Sequence, residues 1–200
     1  MKPRRERKPM RLPEYDYSRP GAYFVTACTK NREFLFESSE AKSAVESAWH
    51  SVLDIFGNIE LDEFVVMPNH IHGILWIKGE GSYRLHPRTW KNLDRRDGQL
   101  PIPTMAYPKY ETLSHIIGAF KTTGATRVNK LRGQIGMAVW QKSFYDRIIR
   151  NDRELERIRQ YIRNNPIRWE EDRDNPTSLK FGLPAKSIDD YWNEIFLNNP

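Results

Sequence analysis

The sequence reads as an α+β fold, with a central antiparallel sheet built on a split β-α-β plan, and three observations carry that reading. Segments of strand-like and helix-like periodicity follow one another in the order β-α-β-β-α-β-α. Two of the strands meet at Met67-Pro68-Asn69-His70, where Pro presets φ and Asn tolerates positive φ, so they pair as a hairpin. The 200 residues, with six Trp, nine Tyr and nine Phe, supply one core and exclude disorder throughout.

Each element has its own justification. Tyr23-Phe-Val-Thr-Ala-Cys-Thr29 is rich in strand formers and opens after Pro20-Gly21. Ala41, Val45, Ala48, Trp49, Val52, Leu53 and Phe56 recur at helical spacing; Ser38 or Ser39 can cap that helix and Gly57 can stop it. Ile59 to Met67 and His70 to Ile77 are the hairpin strands. Residues 78–110 break the pattern with glycines, prolines and basic side chains, and form a long inserted loop. Leu113, Ile116, Ile117 and Phe120 start an amphipathic helix running to about Leu131, with Gly124 on its apolar side and Lys121, Arg127 and Lys130 off it. Ser143 to Ile149 is the fourth strand. Asn151 caps an additional C-terminal helix, with Glu154 at the capping-box position. That helix should end near Asn164, because Pro166 disfavours helical geometry at Asn165. The first six elements match a ferredoxin-like fold, with helices on one face of the sheet.

Composition narrows the function classes. The net charge is +6. Residues 1–11 carry six basic side chains against Glu6, and residues 170–200 carry three basic against seven acidic. The chain therefore divides into a basic arm (1–14), a domain (15–169, with the insertion at 78–110) and an acidic tail (170–200). A basic arm on a basic body points to a polyanionic partner, or to an ordinary solvated surface. No apolar run approaches the roughly 18 residues of a membrane helix. The basic start leads into Leu12-Pro13-Glu14-Tyr15-Asp16 and not into an apolar stretch, so a cytoplasmic protein is expected. Cys28 is the sole cysteine, which excludes an internal disulfide and a thiolate zinc cage.

Two local features could carry chemistry. In His70-Ile71-His72 the imidazoles are two residues apart in a strand and leave the sheet on one face, placed to chelate a divalent ion or to sit as buried, hydrogen-bonded histidines. Tyr161 and Asn165 share a face at the C-terminal end of the last helix, beside the Leu155, Ile158 and Ile162 stripe. They read either as a core aromatic and a helix terminator or as a nucleophile and a third metal ligand.

Taken together, these blocks resemble the single-tyrosine transposases of the His-hydrophobic-His superfamily, most closely their REP-associated bacterial branch. The stretches are Tyr15-Asp-Tyr-Ser-Arg-Pro-Gly-Ala-Tyr-Phe-Val-Thr-Ala-Cys-Thr29, Val66-Met-Pro-Asn-His-Ile-His-Gly-Ile-Leu75, Ile116-Ile-Gly-Ala-Phe-Lys121, Trp140-Gln-Lys-Ser-Phe-Tyr-Asp146 and Tyr161-Ile-Arg-Asn-Asn-Pro166. The resemblance implies cleavage and rejoining of single-stranded DNA at hairpin-bearing sites through a 5′-phosphotyrosine. It implies Tyr161 as nucleophile and His70, His72 and Asn165 as ligands. One departure is Arg147, where many relatives carry His, and its neighbour Tyr145 is a second tyrosine near that block.

The chemistry suits those residue types. A phosphodiester is anionic, so a cation must neutralise developing charge and orient it. Two imidazoles with one amide oxygen suggest Mg²⁺ or Mn²⁺. A phenol ionises near pH 10 in model peptides, so it attacks only with such help. Lys121, Arg127, Arg84, Arg88, Arg95 and Arg96 are candidates for phosphate contacts, with Trp90 and Tyr83 for stacking on bases and Tyr145 for contact with DNA. The partner expected is hairpin-bearing single-stranded DNA, bound by a monomer or homodimer, with no membrane involved. Two other classes stay open: a non-catalytic single-stranded nucleic-acid-binding module, which shares the element order, and a replication or conjugation nicking enzyme, which shares the histidine pair.

Overall fold

A computed structural model describes residues 15–78, 112–172 and 174–178. Its sheet holds four antiparallel strands, β1 (Gly21–Cys28), β2 (Ile59–Met67), β3 (His70–Ile77) and β4 (Tyr145–Ile149), in the order β2-β3-β1-β4. That is the strand order of a ferredoxin-like sheet, with β1 and β3 inside and the hairpin partner β2 at one edge. Three α-helices lie among the described residues: α1 (Ser39–His50), α2 (Leu113–Leu131) and α3 (Asp152–Asn164).

Strand β3 is buried on both faces, and its period of two sorts its side chains. Ile71, Leu75 and Ile77 join the larger core under α1 and α2, with Trp49, Phe120 and Trp140. Ile74 and Trp76 turn to the other face, where Phe24, Ile149 and the Leu155-Ile158-Ile162 stripe of α3 form a second core. Each of those three aliphatic side chains contributes about 1.5–3 kcal/mol by leaving water. Gly73 is required by close approach: a Cβ there would lie 2.9 Å from both the Phe64 ring and the Trp49 indole, which stack at 4.6 Å.

A bulge between Leu61 and Phe64 interrupts the β2–β3 register. The two bulge residues grip α3: Asp62 accepts a two-point contact from Arg159 (3.0 and 2.6 Å) and the Trp76 indole N–H (3.1 Å), and Glu63 pairs with Arg163. The C-terminal helix is thus held on its sheet face by apolar burial and by a polar clamp at the edge.

The structure differs from the sequence reading at the helix ends. The first helix stops at His50 and continues as a 3₁₀ turn, Ser51–Asp54, instead of running on to Gly57. Ser51 Oγ donates back to the Ala48 carbonyl at 2.8 Å, competing with the α-helical ladder. Val52 and Phe56 stay buried while Leu53 is exposed. The last helix ends at Asn164 as expected, yet Asn165 keeps helical backbone (φ −58°, ψ −44°). Pro166 acts there by lacking an N–H to continue the ladder, and the chain turns through Arg168, whose N–H reaches the Asn164 carbonyl. Asn151 caps α3 as expected, but Glu154 reaches the Arg150 N–H and Arg147, not its cap.

Candidate metal and nucleophile site

Beyond Ile74, the second sheet face turns polar. Antiparallel pairing sets Thr26 beside His72 and Cys28 beside His70. Both imidazoles are buried, and their Nε2 atoms face each other at 3.1 Å. Each Nδ1 has its own partner: His70 meets Asn69 Oδ1 at 2.7 Å, and His72 meets Thr26 Oγ1 at 2.8 Å. Burial holds both rings neutral, bringing His70 down to about 4 and His72 well below the usual imidazole value. Burial also pushes the neighbouring Cys28 thiol up to about 12, so no thiolate competes at this site.

Helix α3 delivers Tyr161 to this pair. Its phenol oxygen lies 3.1 Å from His72 Nε2. Phe24 forms the floor, stacked on His72 (centroids 5.4 Å, 26°) and meeting Tyr161 edge-on at 6.2 Å. Tyr145 stands on the same face, opposite Thr26 on β4, with its ring 6.5 Å from Phe24. Both tyrosines thus border one aromatic floor, and the Tyr161 oxygen lies within hydrogen-bond distance of His72.

Asp172 is the participant that sequence reasoning missed. The chain turns after Asn165, anchors Trp169 against Phe34 and near His70, and brings the Asp172 carboxylate to 3.9 Å from His70 Nε2. One ligand atom each from His70, His72 and Asp172 lies within 4.8 Å of the others. Burial raises the Asp172 carboxyl to about 6. Asp172 stands in the run Glu170-Glu171-Asp172-Arg173-Asp174, which reads as solvated charge; the only sequence signal was Trp169 as an apolar anchor just before it.

Asn165 is buried and holds the Asp172 carboxyl down slightly against the effect of burial, while its Oδ1 has no hydrogen-bond partner among the described residues. The two neutral imidazoles of His70 and His72 and the Asp172 carboxylate form a donor set with at most one negative charge. A divalent cation fits it.

Asn69, Asp174 and Arg32 tie this site together. Asn69 Nδ2 donates to the Asp174 carbonyl (2.7 Å), and the Arg32 guanidinium pairs with the Asp174 carboxylate at 2.7 Å. Arg32 adopts φ +60°, a left-handed conformation that costs an L residue about 1–2 kcal/mol, and this ion pair offsets part of it.

The expected DNA-contact residues of α2 lie in the layer over the other sheet face. Lys121 Nζ donates to the carbonyls of Gln141 (2.6 Å), Lys142 and Ser143 (both 3.3 Å), and Arg127 donates to Ser47 of α1 at 2.8 Å. Arg147 pairs with Glu154 at 2.6 Å. Tyr83, Arg84, Arg88, Trp90, Arg95 and Arg96 lie outside the described residues.

No model of a known protein family matches the chain. A protein of Haemophilus influenzae, described only as uncharacterised, is 35% identical over 176 residues, covering 83% of this chain and 91% of that protein. Among solved structures, a REP-associated tyrosine transposase bound to a REP hairpin is similar at a TM-score of 0.50 and 19% identity, over 79% of this chain and 74% of that one. A Deinococcus radiodurans protein described as a putative transposase aligns at a TM-score of 0.43 and 17% identity, over 77% and 95%. The fold is therefore one that a REP-associated tyrosine transposase also has.

Proposed function

We propose that this chain, which belongs to the same family as the Haemophilus influenzae protein, is a transposase-like enzyme that cuts and rejoins single-stranded DNA at hairpin-bearing sites. The observation that carries the reading is the Tyr161 phenol 3.1 Å from His72 Nε2, with His70 Nε2 another 3.1 Å on. A hydroxyl nucleophile beside a cation-binding donor set is the equipment of phosphodiester transfer. The fold shared with a transposase solved on a REP hairpin supports DNA of that kind as the substrate.

His70, His72, Asp172 and Asn165 would hold Mg²⁺ or Mn²⁺. When bound, the ion supplies charge neutralisation and orientation for the scissile phosphate. Tyr161 Oη attacks phosphorus, the bond from phosphorus to the 3′-oxygen breaks, and a 5′-phosphotyrosine and a free 3′-OH result. The phenol is half-buried, so its proton passes to water. In the return step a 3′-OH attacks the phosphotyrosine, the tyrosine oxygen leaves and regains a proton, and no nucleotide cofactor is needed. Phe24 keeps the Tyr161 and His72 rings in fixed relation, and the Asp62–Arg159 clamp keeps α3 seated. Tyr161 reaching His72 within one chain supports a site assembled in cis. The basic arm and the 78–110 insertion, with Arg84, Arg88, Arg95 and Arg96, would follow the DNA backbone.

The test is a covalent-adduct assay with a panel of hairpin-bearing single strands and Mn²⁺. Tyr161→Phe should bind DNA and metal but form no adduct, whereas Tyr145→Phe still forms one. Attachment mapped to Tyr145, or no covalent species with any metal, would refute this reading.

A further inference from the structure

We infer that Asn69 and Thr26 are positioning residues: Asn69 fixes His70 in the tautomer whose Nε2 can ligate, and Thr26 accepts the hydrogen bond that allows His72 to do the same. This rests on the metal-binding reading of the site. Asn69 is fully buried in the hairpin turn. One end of its amide meets two backbone carbonyls, Asp174 O at 2.7 Å and Arg32 O at 3.5 Å. Carbonyls only accept, so that end is Nδ2 and the other end is Oδ1. Oδ1 in turn only accepts, and it lies 2.7 Å from His70 Nδ1. The hydrogen of the neutral ring must therefore sit on Nδ1, which leaves Nε2 with a bare lone pair directed at the donor cluster. Asn69 thus fixes His70 in the one tautomer that can ligate.

The same amide holds the backbone of Asp174, two residues beyond Asp172. A single side chain consequently sets the orientation of one imidazole from the hairpin and the path of the segment that brings the carboxylate. Ligands 102 residues apart in sequence, His70 and Asp172, are registered through it.

Thr26 works differently. Its hydroxyl can donate or accept, so the 2.8 Å contact with His72 Nδ1 does not impose a tautomer. It permits one: for His72 Nε2 to join His70 Nε2 on one ion, His72 Nδ1 must carry the hydrogen, and Thr26 Oγ1 is the acceptor that receives it. Outer hydrogen bonds of this kind govern metal-ligating histidines generally, and their loss costs about 10–100-fold in affinity or activity.

Side-chain ¹⁵N NMR of the full chain reads the tautomers directly, and Mn²⁺ titration followed by EPR reads affinity. Wild-type His70 should show a protonated Nδ1 and bare Nε2 without any metal, and His72 should show the same pattern with saturating Mg²⁺. Thr26→Val, which keeps shape and removes the hydroxyl, should weaken Mn²⁺ binding by about 10–100-fold, and Thr26→Ser should restore it. Asn69→Ala should leave His70 as a mixture of tautomers. A bare Nδ1 on wild-type His70, which needs no variant to be folded, overturns the assignment, as does wild-type affinity in Thr26→Val. Failure of the wild type to bind Mn²⁺ would instead refute the metal-site reading, and the His70 tautomer would still report on Asn69.

Discussion

Replacing Asp172 with Asn changes the charge of the site while nearly keeping its shape. Burial is the largest influence on this carboxyl and moves it from 3.8 to about 6. The folded value lies above the unfolded one, so ionising Asp172 penalises the folded state. That penalty is absent below pH 3.8 and complete above about pH 6. A shift of about two units at about 1.36 kcal/mol each amounts to about 3 kcal/mol. His70 runs the other way. Burial brings it from 6.5 to about 4, so its contribution is full above pH 6.5 and is lost as pH falls towards 4. That loss is also about 3 kcal/mol, and the depressed His72 adds in the same direction. In the wild type the Asp172 slope offsets that of His70 between about pH 4 and pH 6.5, so the metal-free rise left from these groups is the one His72 contributes. Asp172→Asn removes one of them. Urea denaturation should then show stability rising by about 3 kcal/mol or more across that window, and a variant more stable than wild type by about 3 kcal/mol near neutral pH. With Mn²⁺ the order should reverse, since ligand binding to the folded state raises stability and the variant has lost a carboxylate ligand. Parallel pH–stability curves for the two proteins would show that burial does not raise the Asp172 carboxyl.

Other perturbations probe the frame around the site. Gly73→Ala forces a Cβ to 2.9 Å from the stacked Phe64 and Trp49 rings, and should cost about 1–3 kcal/mol, read as a lower urea midpoint at unchanged slope. Asp62→Ala strips the acceptor from both Arg159 and the Trp76 indole. It should lose about 1.5–3 kcal/mol and speed amide exchange along α3, and no change in exchange would show that apolar packing alone seats that helix. Deleting residues 2–11 should weaken binding equally for all single strands and reduce the log–log salt slope by about 0.7 per lost phosphate contact; a changed hairpin preference at constant slope would make the arm a reader of sequence.

What was legible in the sequence follows from which signals are local. Ile59–Met67, His70–Ile77 and Leu113–Leu131 appear at their expected bounds because a turn or a clear apolar period marks each end. The C-terminal helix is as clear, with Asn151 capping one end and Pro166 closing the other. His70 and His72 share a face because a strand has a period of two, and no tertiary knowledge is needed for that. The end of the first helix was not legible. A single serine side chain folding back on a carbonyl decides it, and Leu53 falls in the apolar period although it ends up exposed. Placing α3 across from the histidines was a tertiary matter too, settled by the bulge residues Asp62 and Glu63, whose charges look like ordinary strand-edge solvation.

Asp172 shows why ligand sets are harder to read than folds. A strand announces two ligands through its own periodicity, but a ligand brought back by an irregular segment leaves no periodic trace. Here the segment is defined by contacts that only the folded chain makes: Asn69 to the Asp174 carbonyl, Arg32 to the Asp174 carboxylate, Trp169 to Phe34. Those contacts are also what make the site workable. The buried carboxylate is disfavoured when ionised and the imidazoles are disfavoured when protonated, so the unliganded cluster is held together against its own electrostatics. A bound cation, as proposed, would relieve that disfavour at Asp172 while using the lone pairs that burial keeps on the histidines. On the proposed reading the same burial that costs folding stability would create the affinity for a cation, and the loop contacts around Asp174 are the part of the fold that sustains that cost without one.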